Sequence, residues 1–127
     1  MLKVLLIDDN PMQLHVREAV LVDAGMSVST AGTSEEALAL LRPSATRFDV
    51  IVTDHILPGE SGAVFVRQLR ELRADVPVLA ISGLAEAQEE YQALKVRFLP
   101  KPVPPEDLIS CVRELAAAGS SSAATQE

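Results

Sequence analysis

The sequence predicts an α/β protein: a three-layer α/β/α sandwich built on a doubly wound parallel sheet of five strands. Three observations carry this. Apolar runs of about five residues alternate with longer segments of helical period. Four of those runs stop abruptly at polar residues, at Asp8-Asp9, Asp54, Ser82 and Lys101, as strands do where they leave a sheet. The 127 residues suffice for one domain with a substantial core and leave no room for a second.

Each element has its own signal. The first apolar run predicts a strand over 3–7. Asn10-Pro11 then supplies an N-cap and a first-turn proline, Met12, Val16, Ala19 and Val20 share a helical face, and Gly25 stops the helix. A second strand is predicted over 27–31. Thr33-Ser34-Glu35-Glu36 reads as a capping box that opens a helix carrying Ala37, Leu38, Leu40 and Leu41, ended by Pro43. A strand over 49–53 precedes Asp54, and Gly62 to Leu72 gathers Val64, Phe65, Leu69 and Leu72 on one side of a helix. Strands over 77–81 and 96–99 flank a segment, 86–94, with room for two helical turns. Pro104-Pro105 begins the last helix, with Leu108, Ile109, Val112 and Leu115 inward. Right-handed crossovers place helices on both faces of such a sheet. The domain spans 1–118, and the Ser/Ala/Thr-rich residues 119–127 form a flexible tail or linker stub.

Charge and composition exclude several function classes. Eleven basic against 18 acidic residues give a net charge of −7, which argues against direct nucleic-acid binding and favours a protein or cation partner. No apolar run approaches a membrane span and the opening MLKVLLIDD is not a signal peptide, so a cytoplasmic location with no membrane partner is expected. A single cysteine, Cys111, cannot form an internal disulfide; among Leu108, Ile109, Val112 and Leu115 it reads as a core residue, with a redox role the alternative.

In a parallel α/β sheet ligands bind beyond the carboxyl ends of the strands. Four such ends would bring Asp8, Asp9, Asp54, Ser82 and Lys101 to one crevice, a set suited to a divalent cation beside a phosphoryl group. Three carboxylates without a sulfur ligand select Mg²⁺ or Mn²⁺ over zinc or copper. Taken singly each residue has a plainer reading: Asp8-Asp9 as solvated acids or an N-cap, Ser82 as a turn residue.

The segments VLLIDDNP, DVIVTDHILPGESG, VPVLAISG and FLPKPV together resemble the receiver domain of bacterial two-component response regulators, over residues 1 to about 117. The resemblance implies a flavodoxin-like sheet of strand order 2-1-3-4-5. It implies that Asp54 accepts a phosphoryl group from a histidine kinase or histidine phosphotransfer protein. Asp8, Asp9, Asp54 and the backbone carbonyl of Ile56 would hold Mg²⁺, Ser82 and Lys101 would contact the acyl phosphate, and Ser82 with Phe98 would form the switch. Pro58-Gly59 matches the turn after the phosphorylation site. The domain would be a signalling switch for an output partner, catalysing only its own phosphorylation and dephosphorylation, with a phosphorylation-dependent dimer one form of output.

Departures from the family pattern add further expectations. The Ser82–Lys101 segment is about one helical turn short, so the fourth-helix region is abbreviated and output by its surface is in question. Ile56 and Leu84, both apolar and flanking the attack path, predict slow self-dephosphorylation. His55 is expected to be hydrogen-bonded and partly buried, with a pH sensor the alternative, and His15 structural or exposed; Leu14 and Leu21, away from the expected core stripe, read as scattered surface leucines, with an apolar patch for a helical partner the alternative. The alternatives are a pseudo-receiver that binds partners without phosphate and an Mg²⁺-dependent phosphohydrolase with an aspartyl nucleophile. The hydrolase pattern of Asp-x-Asp on the first strand and a cap domain is missing from this sequence.

Overall fold

The computed structural model describes residues 1–43, 47–54, 56–57, 60–73, 75–83 and 96–125. Their elements run β1 (Lys3–Ile7), α1 (Pro11–Asp23), β2 (Ser27–Ala31), α2 (Ser34–Leu41), β3 (Val50–Asp54), β4 (Ile56–Leu57), β5 (Glu60–Ser61), α3 (Gly62–Leu72), β6 (Val78–Ser82), β7 (Arg97–Pro100) and α4 (Pro105–Thr125). The main sheet is parallel, in the order β2-β1-β3-β6-β7. Counting only its own strands, this is the expected 2-1-3-4-5 order. β4 and β5 form a separate antiparallel ribbon just after β3, which the apolar pattern does not foreshadow.

The first two strands have the predicted bounds, and the last three begin and end one residue later. The pairings Asp54↔Ile81 and Ser82↔Pro100 explain the shift: a polar side chain does not interrupt a backbone ladder, so the polar residue belongs to its strand.

Helix starts follow their caps. Asn10 Oδ1 accepts hydrogen bonds from the backbone N–H groups of Met12 (3.0 Å) and Gln13 (3.1 Å), and Pro11 opens the first turn. Thr33 Oγ1 accepts from Glu36 N (3.1 Å), while Glu36 Oε2 reaches one residue further back than a capping box requires, to Gly32 N (2.9 Å). α1 ends where Gly25 takes a φ of 91°, which costs glycine nothing.

The sheet separates two cores. Leu5, Ile7, Ile51, Val78 and Ala80 face α2 and α3, where Leu38, Leu41, Phe65 and Leu69 cover them. Val4, Leu6, Val50, Val52, Leu79 and Ile81 face α1 and α4, with Leu21, Leu108, Cys111 and Val112. Burial on both sides explains why these strands read as unbroken apolar runs. Cys111 is buried there, and burial pushes its thiol pKa up, as a core cysteine requires.

The inward face of α1 differs from the predicted one. Met12 and Val16 are 75% and 54% exposed and Ala19 is exposed, whereas Leu21 is fully buried and Leu14, Val20 and Ala24 pack against the second core. Leu14 and Leu21 are therefore core residues and not an outward docking patch. The stripe that faces the sheet is 14, 17, 20, 21 and 24, an ordinary helical spacing disguised by an arginine at its centre. Smaller differences occur at Leu40, Val64 and Leu72, which lie at the exposed margins of their helices. α4 runs from Pro105 to Thr125.

His55, Pro58-Gly59, Leu84 and the shortened helical segment 86–94 lie outside the described residues. His15 is exposed. Among the described residues no helix is long and apolar enough to cross a membrane.

Candidate functional site

The site is a row along the carboxyl edge of the sheet. Ile7 pairs with Thr53, Asp54 with Ile81 and Ser82 with Pro100, so the ends of β1, β3, β6 and β7 lie side by side. Asp8, Asp54, Ser82 and Lys101 are thereby gathered from positions spread along most of the chain. Asp8, Asp54 and Ser82 are buried and Lys101 is partly exposed.

An ion pair joins two of these residues. Lys101 Nζ donates to Asp54 Oδ2 at 3.0 Å, with the lysine side chain 32% exposed and the aspartate 6%. The backbone holds that lysine in place, since Lys101 N donates to Ser82 O at 2.9 Å. Thr53, buried beside the acceptor, donates its hydroxyl to Asp54 O at 3.1 Å. Phe98, half-buried, packs against the α2/α3 core.

Asp8 is engaged at both oxygens. Oδ1 accepts from Asn10 N at 2.9 Å, and Oδ2 forms an ion pair with Arg17 Nη1 at 2.8 Å. Even so, its pKa is raised above the ordinary 3.8: loss of solvation dominates, and the neighbouring Asp54 charge adds to it. The Asn10 N–H, Arg17 and Lys101 oppose the shift. The two buried carboxylates therefore feel each other directly.

Asp9 is exposed, unlike its neighbour. Among the described residues no three His, Cys, Asp or Glu side chains converge closely enough to hold a metal ion. The expected triad of Asp8, Asp9 and Asp54 is thus not drawn together: successive side chains at the strand end diverge, Asp8 inward and Asp9 toward solvent. The donor chemistry nevertheless fits Mg²⁺, which is usually held by one or two carboxylates and keeps several waters. Asp8 and Asp54 supply two hard, mutually repelling carboxylates. Ile56, whose carbonyl was expected as a further ligand, heads β4 two residues beyond Asp54.

Sequence reasoning missed Arg17. Its signal was present: it lies three residues after Leu14 and four before Leu21, hence on the face those leucines bury. A charged residue is ordinarily assigned to the solvent side, and that assumption moved the whole stripe.

Comparison with known proteins places these features in context. The model of one family, described as the response regulator receiver domain, matches residues 4–113. The two-component response regulator ARR22 of Arabidopsis thaliana is 29% identical over 93 residues, 73% of this chain and 66% of that protein. The C4-dicarboxylate transport transcriptional regulatory protein DctD of Pseudomonas aeruginosa is 34% identical over 115 residues, 87% of this chain and 24% of that one. The chain thus spans less than two thirds of either relative. Among solved structures, the chemotaxis response regulator CheY4 of Vibrio cholerae superposes with a TM-score of 0.81 at 32% identity, covering 91% of this chain and 98% of the other.

Proposed function

The chain belongs to the response regulator receiver domain family, a signalling module of two-component systems and not a conventional enzyme, and from that premise we propose that Asp54 is its phosphoacceptor. The donor is a phosphohistidine on a histidine kinase or histidine phosphotransfer protein. A carboxylate oxygen of Asp54 bonds to phosphorus as the P–N bond breaks, and the electron pair of that bond leaves with the imidazole.

The observation that carries this reading is the 3.0 Å contact between Lys101 Nζ and Asp54 Oδ2. It holds a positive charge beside the buried carboxylate that ends β3. When the acyl phosphate forms, Lys101 exchanges its carboxylate partner for a phosphoryl oxygen. The Ser82 hydroxyl donates to another of those oxygens, drawn by the added charge of about −1.5 to −2. Movement of Ser82 toward the phosphate leaves space into which the half-buried Phe98 turns, and an output partner reads the altered surface. A divalent cation, when bound by Asp8, Asp54, the exposed Asp9 and the Ile56 carbonyl, supplies positive charge against the phosphoryl oxygens. Slow dephosphorylation follows from the apolar residues at 56 and 84, which do not orient a hydrolytic water.

Incubation with acetyl phosphate and Mg²⁺, read by intact mass beside Asp54→Asn, tests the proposal. One phosphate adduct that needs Mg²⁺ and disappears in the variant is expected. An adduct that persists in Asp54→Asn would refute the assignment of Asp54, and continuous release of phosphate without accumulation of the adduct would favour a hydrolase.

A further inference from the structure

Arg17 stands out because it occupies the inward stripe of α1, with Leu14 and Leu21 packing into the core on either side of it. Its guanidinium is not at the surface by default: the side chain is 12% exposed and Nη1 lies 2.8 Å from Asp8 Oδ2, whose side chain is 1% exposed. Asp8 Oδ1 is already satisfied by Asn10 N, so the arginine completes the carboxylate. Guanidinium stays charged at every pH a protein survives and is weakly hydrated, which makes it suited to a buried pair that must not discharge.

We propose that Arg17 is a built-in counter-ion that competes with the divalent cation for Asp8. This rests on the receiver reading, in which Asp8 is a cation ligand. An ion that coordinates Oδ2 directly must displace the guanidinium, and one that binds beside it must tolerate a fixed positive charge. Either way Arg17 weakens cation binding. In exchange it keeps the buried Asp8 compensated when no cation is present, against the adjoining Asp54. The receiver is thereby loaded by an exchange of one cation for another, and Arg17 sets the free Mg²⁺ concentration at which the exchange occurs.

The direction of the effect separates this role from a structural one, because a variant that merely loosens the site binds cations less tightly. Mn²⁺ binding to the whole chain is measured by the electron paramagnetic resonance of the free ion, and Mg²⁺ binding by calorimetry. The variants are Arg17→Met, Arg17→Lys and Asp8→Asn. Arg17→Met is expected to bind about tenfold more tightly than the wild type, since a unit charge a few ångströms from a divalent ion costs at least that factor even in a water-like dielectric. Arg17→Lys, which keeps the charge, is expected to stay within about threefold of the wild type. A folded Arg17→Met that binds no more tightly than the wild type overturns the counter-ion role.

Should Arg17→Met not fold, the wild type itself decides. On Mg²⁺ titration the Arg17 Nε–H nuclear resonance is expected to shift with the same midpoint as that of the Asp8 amide. An Arg17 signal that stays still while the Asp8 signal moves overturns the proposal. The Asp8→Asn variant isolates the underlying reading: cation binding unaffected by it would refute Asp8 as a ligand, and the counter-ion role with it.

Discussion

Replacing Lys101 by methionine keeps most of the stem and removes the charge 3.0 Å from Asp54 Oδ2. Two unit charges about 4 Å apart attract by about 4 kcal/mol at an effective dielectric of 20, and this pair is closer. Removing one partner of a fully buried pair costs about 3–5 kcal/mol. The aspartate side chain is 6% exposed but the lysine is 32% exposed, so water screens part of the attraction and takes part of the cost away. The repulsion between Asp54 and Asp8, no longer offset by Lys101, acts in the other direction. About 1–3 kcal/mol is the net expectation for the metal-free protein. With a urea slope of about 1–3 kcal/mol per molar, the unfolding midpoint falls by about 1 M. The assay is urea unfolding in EDTA, followed by circular dichroism, on the four corners of a cycle with Asp54→Asn. In the Asp54→Asn background the same lysine substitution should cost under about 0.5 kcal/mol, because Asp54 is no longer an anion to be stranded and the other buried carboxylate, Asp8, keeps its own partner in Arg17. Equal costs in both backgrounds would refute the argument that the lysine compensates Asp54.

Other perturbations test the remaining parts of the structure. Because the folded-state pKa of Asp8 is raised from 3.8, the folded protein holds its proton more tightly than the unfolded chain. The contribution of Asp8 to stability is therefore greatest below the ordinary carboxylate pKa and is lost as pH rises through the folded value. In EDTA, the stability of the wild type minus that of Asp8→Asn should fall as pH rises above the ordinary carboxylate range; a flat or rising difference contradicts the sign. Leu21→Ala and Leu69→Ala, both at fully buried positions on opposite faces of the sheet, should each cost about 2–5 kcal/mol in chemical denaturation. Their double variant should be additive within about 0.5 kcal/mol, and a larger coupling would mean that the two cores are not independent. Cys111, buried with its thiol pKa pushed up, should resist a thiol reagent in the native state and react at once in urea; rapid native labelling would place it at the surface.

How much of this was legible in the sequence depends on which signal each residue gives. The sheet order was legible only through the family resemblance; β1, β3 and β6 were legible because strands buried on both faces appear as plain apolar runs, and helix starts because Asn10-Pro11 and Thr33 to Glu36 are local signals. The row of Asp54, Ser82 and Lys101 was accessible too, since strand ends in a parallel sheet share an edge. What was lost depends on directions in space. Asp8 and Asp9 are indistinguishable as letters, yet one is buried and the other exposed. Arg17 reads as a surface charge until its partner is known, and misplacing it rotated the expected face of α1, exposing Met12 and Val16 where Leu14 and Leu21 are inward. The β4/β5 ribbon has two-residue strands, too short for any period to register.

The ordering of the sheet also bears on when the protein becomes competent during its synthesis. Asp54 is made early, but its lysine comes 47 residues later and reaches it only after β7 has been added to β6 as the outermost strand. A nascent or truncated chain can complete β1 and β3 and still lack the ammonium that pairs with Asp54. Loop closure over that separation is rewarded only by the final strand pairing, so the charge balance of the site is established at the end of assembly and not before. The ion pair at Asp54 is thereby a certificate of completed folding: in an unfinished domain that carboxylate stands without its partner.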